Sequence, residues 1–237
     1  MSSPTPAPRS TGSAGSRASA SSASASLTER RKAETRMDIA RAAAGLFVQR
    51  GLRATRAEDI AQAAGIAPRT FYRYFATKEE AVAPLYAAGA QRWAEAVREA
   101  PAELSVPQAL EHAVRRTLTP GAGVSAASWE WVRTLIRLAE TSPALGKVWA
   151  EVCRDAERML AEVLGERGGG AAQVADNVAA PVVTAELRFA SAVASAAVRT
   201  AVEAWVATDA RATGPTGPAE LALRNLGVLE GFPWGRP

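Results

Sequence analysis

The side chains with most to offer a binding partner lie close together, in the stretch PRTFYRYFATK of residues 68–78. Phe71 and Phe75 stand at i and i+4, so they share one face of a short helix. Arg69, Thr70, Tyr72 and Arg73 are then turned to the opposite face, with Tyr74 at the margin. An arginine can grip guanine through two hydrogen bonds, threonine and tyrosine can meet a thymine methyl, and tyrosine hydroxyls bond phosphate. Catalysis is poorly provided for by comparison. Cys153 and His112 are the only residues of their types. There is no glycine-rich phosphate loop after a strand and no serine-centred elbow, so no nucleophile–base constellation can be assembled. Paired acids such as Glu79 and Glu80 serve a helix N-terminus more plainly than acid–base chemistry. No enzyme activity, no cofactor and no metal are expected; one cysteine allows neither an intrachain disulfide nor a Cys-based zinc site.

The elements that must hold this face can be read from its flanks. Ile60, Ala61 and Ala64 make one side of a preceding helix apolar. Gly65 ends that helix because glycine accepts the left-handed conformation, and Pro68 suits the first turn of the next. Helix, glycine turn, helix is the layout of a helix-turn-helix DNA reader. The first of the two opens on Thr55-Arg-Ala-Glu58, a pattern that predicts a capping box in which Thr55 and Glu58 satisfy each other's backbone N–H groups. Thr55 would also be placed to meet a phosphate. A longer helix is expected before them, from about Thr28 to Arg50, with Ile39, Ala43, Leu46 and Phe47 as its apolar stripe and Gly51 as its stop. Its first turns carry Arg30, Arg31, Lys32 and Arg36, candidates for phosphate contact.

Charge is distributed to match. Between Thr28 and Lys78 there are 11 basic and 5 acidic residues, a net charge of +6, whereas the chain from Glu79 onward has 15 basic and 19 acidic residues. A cationic head on a mildly acidic body is the footprint of a polyanion binder, although charge alone leaves DNA, RNA and membrane surface open. Residues 1–27 are rich in Ser, Ala, Pro, Thr and Gly, with no acid. They are expected to form a disordered tail without a signal-peptide core, whose Arg9 or Arg17 could enter a minor groove. No run of about 18 apolar residues suggests a membrane span, and the lone cysteine is consistent with a cytoplasmic protein.

The stretch LFVQRGLRATRAEDIAQAAGIAPRTFYRYFATKEEAV resembles the DNA-binding signature of the TetR family of bacterial regulators almost from end to end. The aromatic TFYRYF followed at once by a lysine is what distinguishes it from a generic helix-turn-helix, and the likeness covers roughly Ala33–Tyr86. The resemblance implies that Tyr74 and Lys78 hold phosphates and that Arg69, Thr70 and Tyr72 approach bases. The full set of residues expected at DNA is Thr55, Arg56, Pro68, Arg69, Thr70, Tyr72, Arg73, Tyr74 and Lys78. Two positions depart from the family pattern. Ala67 stands where many members place a capping Ser or Thr, a loss of about 1 kcal/mol. Arg69 replaces a residue that is often small, which bears on base preference.

Downstream of the reader, a fourth helix is expected from a second capping box, Thr77-Lys-Glu-Glu80, to about Ala100, with Pro84 kinking it or altering its first turn. Helical patterns follow at about 107–119, 126–141, 144–166, 182–208 and 218–229, with a loop at Gly168–Ala172. Nothing alternates like a strand, so the fold is read as all-α. The organisation expected is a disordered tail (1–27), a three-helix helix-turn-helix DNA-binding domain (28–77) and a helical effector-binding and dimerisation domain (78–237). Trp93, Trp129, Trp131, Leu135, Trp149, Val152 and Met159 are candidates to line a small-molecule site between helices as well as to pack the core. The carboxyl half is loosely similar to TetR members with an acyl-CoA-like ligand-binding domain, which implies an apolar or amphipathic effector. His112 is read as solvent-facing. Leu187, Ser191, Ala194, Val198, Ala201 and Trp205 alternate spacings of 4 and 3 like a coiled-coil seam, and with Leu226 of the last helix they are candidates for a homodimer interface, the arrangement the resemblance implies. The function expected is a ligand-responsive regulator, released as a repressor from a pseudo-palindromic double-stranded operator. The alternatives are an activator of the same fold or an architectural DNA binder without effector.

Overall fold

The computed structural model describes residues 15–121, 126–169 and 183–234. Among these residues the secondary structure is helical throughout: α1 (Gly15–Arg50), α2 (Ala57–Ala63), α3 (Pro68–Tyr74), a 3₁₀ turn (Glu80–Val82), α4 (Ala83–Arg98), α5 (Val106–Leu118), α6 (Ala126–Thr141), α7 (Pro143–Gly169), α8 (Ala185–Val206) and α9 (Pro218–Gly227). The sequence patterns locate these helices to within a few residues, apart from the starts of α1 and α4. The first 14 residues of the expected tail, and most of the expected Gly168–Ala172 loop, lie outside the described residues.

α1 starts earlier than its apolar stripe suggests. It takes in residues 15–27, which composition assigns to the tail. The segment has no proline after Pro8 and carries alanines at 18, 20, 23 and 25, the residue that helices favour most. Apolar patterning marks where a helix packs, not where it begins.

Ile39, Ala43, Leu46 and Phe47 of α1 are buried as their spacing predicts, against Ile60 and Ala61 of α2 and Phe71 and Phe75 of the α3 segment. Gly51 and Gly65, with φ of 81° and 67°, turn the chain at the two junctions. The same apolar cluster continues without a break into Val82, Tyr86, Trp129, Leu135, Ile136 and Trp205 of the body. A second cluster joins Trp93 and Val97 of α4 to α5, α7, α8 and α9. α1 itself packs on both α4 and α6, so the reader is seated on the body by its longest helix.

The entry to α4 is a 3₁₀ turn followed by a helix with Pro84 in its first turn. Thr77 Oγ1 accepts from the Glu80 N–H at 3.2 Å, while the Glu80 carboxylate reaches one residue further back, to the Ala76 N–H at 3.0 Å. The box is thus made with a shifted partner.

The seam on α8 is spent inside the chain. Ser191, Ala194, Ala201, Trp205 and Leu226 are all buried. Trp205 stacks edge-on against Trp129 with ring centroids 5.4 Å apart, and its indole N–H donates to the Ala210 and Arg211 carbonyls. Leu187 and Val198 are half-buried against the second cluster. A 4–3 spacing reports a helix face that packs; here it packs on this chain's own α6, α7 and α9. The face of α8 left open runs through Phe189, Val193, Ala196, Thr200 and Ala204.

Candidate nucleic-acid interface and ligand cavity

α3 presents its polar face as the aromatic spacing requires. Phe71 is fully buried and Tyr72 is 52% exposed, with Arg69, Arg73 and Pro68 also exposed and Thr70 and Tyr74 half-buried at the edges. Ala67 precedes the helix without a side-chain cap. The Tyr72 hydroxyl donates to Glu58 Oε1 at 3.2 Å, which ties α3 to α2. That bond uses the carboxylate expected to cap α2. The guanidinium of Arg73 lies over the Tyr74 ring, 5.4 Å from its centroid.

The carboxyl end of α3 and the chain just beyond it are held by cations whose roles differ from those expected. Arg36 of α1 donates to the Tyr74 carbonyl at 3.1 Å, and its guanidinium sits 4.6 Å from the centroid of the Phe75 ring. It therefore satisfies a carbonyl at the end of α3, where the helix dipole favours positive charge. Beyond α3, Lys78 Nζ donates to the Leu52 carbonyl at 2.7 Å and the Thr55 carbonyl at 2.8 Å. An ammonium has three protons, so one is left for a phosphate. Lys78 is a tie across the reader. Of the other α1 cations, Arg30 pairs with Glu34 and Lys32 with Glu29 on the exposed surface.

Thr55 is corrected most sharply. It is 1% exposed, and its hydroxyl donates to the Gly51 carbonyl at 2.9 Å. Arg56, exposed, is the residue that precedes α2, and its N–H donates to Asp59 Oδ2 at 2.9 Å. Only the carboxylate half of a capping box is made, one residue later, because Thr55 is pulled inward to close the turn after α1. A buried hydroxyl does not reach a phosphate, so Thr55 leaves the set of residues available to DNA.

The body contains a cavity of about 840 Å³ between α1, α4, α6, α7 and α8. Trp93, Trp129, Trp131, Leu135, Trp149 and Val152 line it as expected, and Met159 does not. Met159 packs instead against the second apolar cluster, past the point where α7 leaves the cavity wall. Sequence reasoning missed Met37 and Arg41, which bring α1 into the wall, and also Tyr86, Arg92, Ser195 and Arg199. Tyr86 donates its hydroxyl to the Leu135 carbonyl at 2.8 Å, and burial raises its pKa far above the ordinary phenol value. Burial likewise pushes the Cys153 thiol up to about 11, with Arg199 partly opposing, so this wall residue is a neutral thiol and a poor nucleophile. Trp149 donates to Glu203 Oε1 at 2.9 Å. The indole nitrogens of Trp93 and Trp129 and the Ser195 hydroxyl are buried without a protein partner. His112 is half-buried and lies off the cavity.

Residues 39–83 match the model of the family described as bacterial regulatory proteins, tetR family. The match marks the amino-terminal part of the chain as a TetR-type DNA-binding domain. Its TetR-type reader spans α1 through the start of α4. Over 145 residues the chain is 30% identical to the transcriptional regulator TcmR of Streptomyces glaucescens, a match covering 60% of this chain and 64% of TcmR. Over 40 residues it is 55% identical to the transcriptional repressor KstR2 of Mycobacterium tuberculosis, covering 17% and 20%. The match thus spans less than two thirds of either TetR-family relative. Among solved structures, the TetR-family repressor FadR of Thermus thermophilus in complex with lauroyl-CoA superposes with a TM-score of 0.51 at 25% identity, covering 85% of this chain and 96% of that one.

Proposed function

We propose that this protein is a sequence-specific transcriptional regulator, a cytoplasmic repressor that a small apolar or amphipathic molecule releases from a pseudo-palindromic operator. The observation that carries the reading is the α3 face. Arg69, Tyr72 and Arg73 are exposed on a helix whose inner side is buried through Phe71 and whose carboxyl end is held by Arg36 of α1, with Lys78 just beyond it bonded to the turn between α1 and α2. A rigidly backed helix with free arginines is suited to major-groove reading. The TetR-family match over residues 39–83 and the relatives named as a regulator and a repressor support it.

Residues 28–77 read the DNA in this proposal, and residues 78–237 hold the effector and the second copy. α1 serves both, since Met37 and Arg41 line the cavity while Arg36 holds α3. A ligand that displaces α1 therefore displaces the reader. To shift the population it must bind the released form better, by about 1–3 kcal/mol for a typical coupling. The lauroyl-CoA bound by the Thermus FadR makes an acyl-CoA-like molecule one candidate. The open face of α8, rather than its buried seam, is the surface offered to a second copy.

Footprinting on the DNA flanking the protein's own coding region tests the reading. The expected result is one protected site with two related half-sites about 34 Å apart, or a multiple of that distance. Uniform, salt-sensitive coating of the DNA without a protected site would overturn it.

A further inference from the structure

Four of the chain's six tryptophans line the cavity of the body, arriving from three different helices: Trp93 on α4, Trp129 and Trp131 on α6, and Trp149 on α7. Tyr86 adds a fifth ring and meets Trp149 edge-on with centroids 5.1 Å apart. A core needs volume and dry packing, which leucine and isoleucine supply without polar atoms. Indoles concentrated around an empty volume supply something else, flat π-faces on several sides. Such faces favour offset or edge-on contact with another aromatic ring over contact with a flexible alkyl chain.

The polar groups on the same wall narrow the choice. Arg41, Arg92 and Arg199 line the cavity against one acid, Glu157. Arg41 is paired with Asp38 and Arg199 with Glu203, whereas Arg92, exposed at the cavity's edge, is in none of the ion pairs among the described residues.

From this arrangement we infer that the effector is a planar, fused-ring aromatic molecule carrying an acidic group, with the rings held among Trp93, Trp131 and Trp149 and the acid toward Arg92. The inference rests on reading the cavity as the effector site. It departs from a saturated acyl chain, which would gain nothing from the indoles beyond burial. Trp131 is 43% exposed and stands where the cavity meets solvent, so it is the ring that can be changed at least cost to folding.

Binding is measured on the full-length, DNA-free protein by quenching of tryptophan fluorescence, with three probes: 1-pyrenebutyrate, 1-pyrenemethylamine and palmitate. The expected order is pyrenebutyrate tightest, with Trp131→Leu weakening it roughly two- to twelvefold, the equivalent of one aromatic pair. Trp131→Phe restores most of the loss, and Trp131→Leu leaves palmitate unchanged. Arg92→Ala removes the preference for pyrenebutyrate over pyrenemethylamine. Palmitate binding more tightly than pyrenebutyrate, or pyrenebutyrate indifferent to Trp131→Leu, overturns the aromatic assignment. Release of a footprinted operator fragment is then read separately. If pyrenebutyrate binds in the expected order yet leaves the fragment bound, the ligand class stands and the proposed regulation fails. If palmitate releases the fragment and pyrenebutyrate does not bind, the regulation stands and the ligand class fails.

Discussion

Trp131 of α6 rests against Gly45 of α1: a methyl group at Gly45 would lie 3.6 Å from the indole Cη2. The same indole lines the cavity, and the same helix α1 holds the end of α3 through Arg36. One side chain therefore touches both the ligand's space and the helix that carries the reader. At 3.6 Å a methyl group is in ordinary contact, so Gly45→Ala is accommodated and stabilises the helix by about 0.5–1 kcal/mol. Gly45→Leu overfills the gap and costs about 1–3 kcal/mol. Melting temperatures of the two variants check this. A fall for both would mean that the contact is tighter than the geometry allows.

Lys78→Ala removes the donor to the Leu52 and Thr55 carbonyls and leaves both acceptors short of a partner. The expected loss is about 1.5–3 kcal/mol of stability, the range for hydrogen bonds to a charged group. If the third proton does meet a phosphate, the salt slope of DNA binding also falls by about one. Urea unfolding separates the two effects. An unchanged midpoint with a reduced salt slope would return Lys78 to a purely DNA-facing role.

Arg69→Ala should behave in the opposite way. The side chain is exposed at the start of α3, so stability stays within about 0.5 kcal/mol. If Arg69 holds a guanine through two bonds, binding to the preferred site weakens by about 1–3 kcal/mol and discrimination at one base position is lost. Competition among single-base variants of the footprinted site shows whether the loss is confined to one position.

Cys153 supplies a pH signature. Its thiol pKa is raised by burial from 9.0 to about 11. Between those values the unfolded chain has lost the proton and the folded chain has kept it, so stability from this group falls as pH rises through the window and is unaffected below it. Cys153→Ala should flatten the decline in melting temperature between pH 9 and 11 relative to the parent. Identical declines would place the thiol in a solvated setting.

How much of this was legible beforehand depended on how local the signal was. Gly51, Gly65 and Pro68 punctuate the reader so plainly that the helix boundaries and the buried Phe71–Phe75 face follow from spacing alone. Thr55 misled because Thr-x-x-Glu and Arg-x-x-Asp overlap by one residue. Only the fold shows that the turn after α1 draws the threonine inward. The Arg36–Tyr74 contact spans 38 positions and has no sequence pattern. The α8 seam reported correctly that one face packs, but a 4–3 spacing carries no information about whether the partner belongs to the same chain. The cavity's tryptophans were visible as residue types. That Met37 and Arg41 share their wall was not, since α1 reads in the sequence as part of the DNA-binding unit alone.

The measurement that bears most directly on the central claim is a competition between the footprinted fragment and the same bases in scrambled order, at physiological salt. Sequence-specific reading by α3 predicts a preference of at least about 10³ for the intact site, and one that Arg69→Ala diminishes. Equal affinity for the two fragments would contradict the account, because it would leave only the charge of the amino-terminal helices to explain the binding.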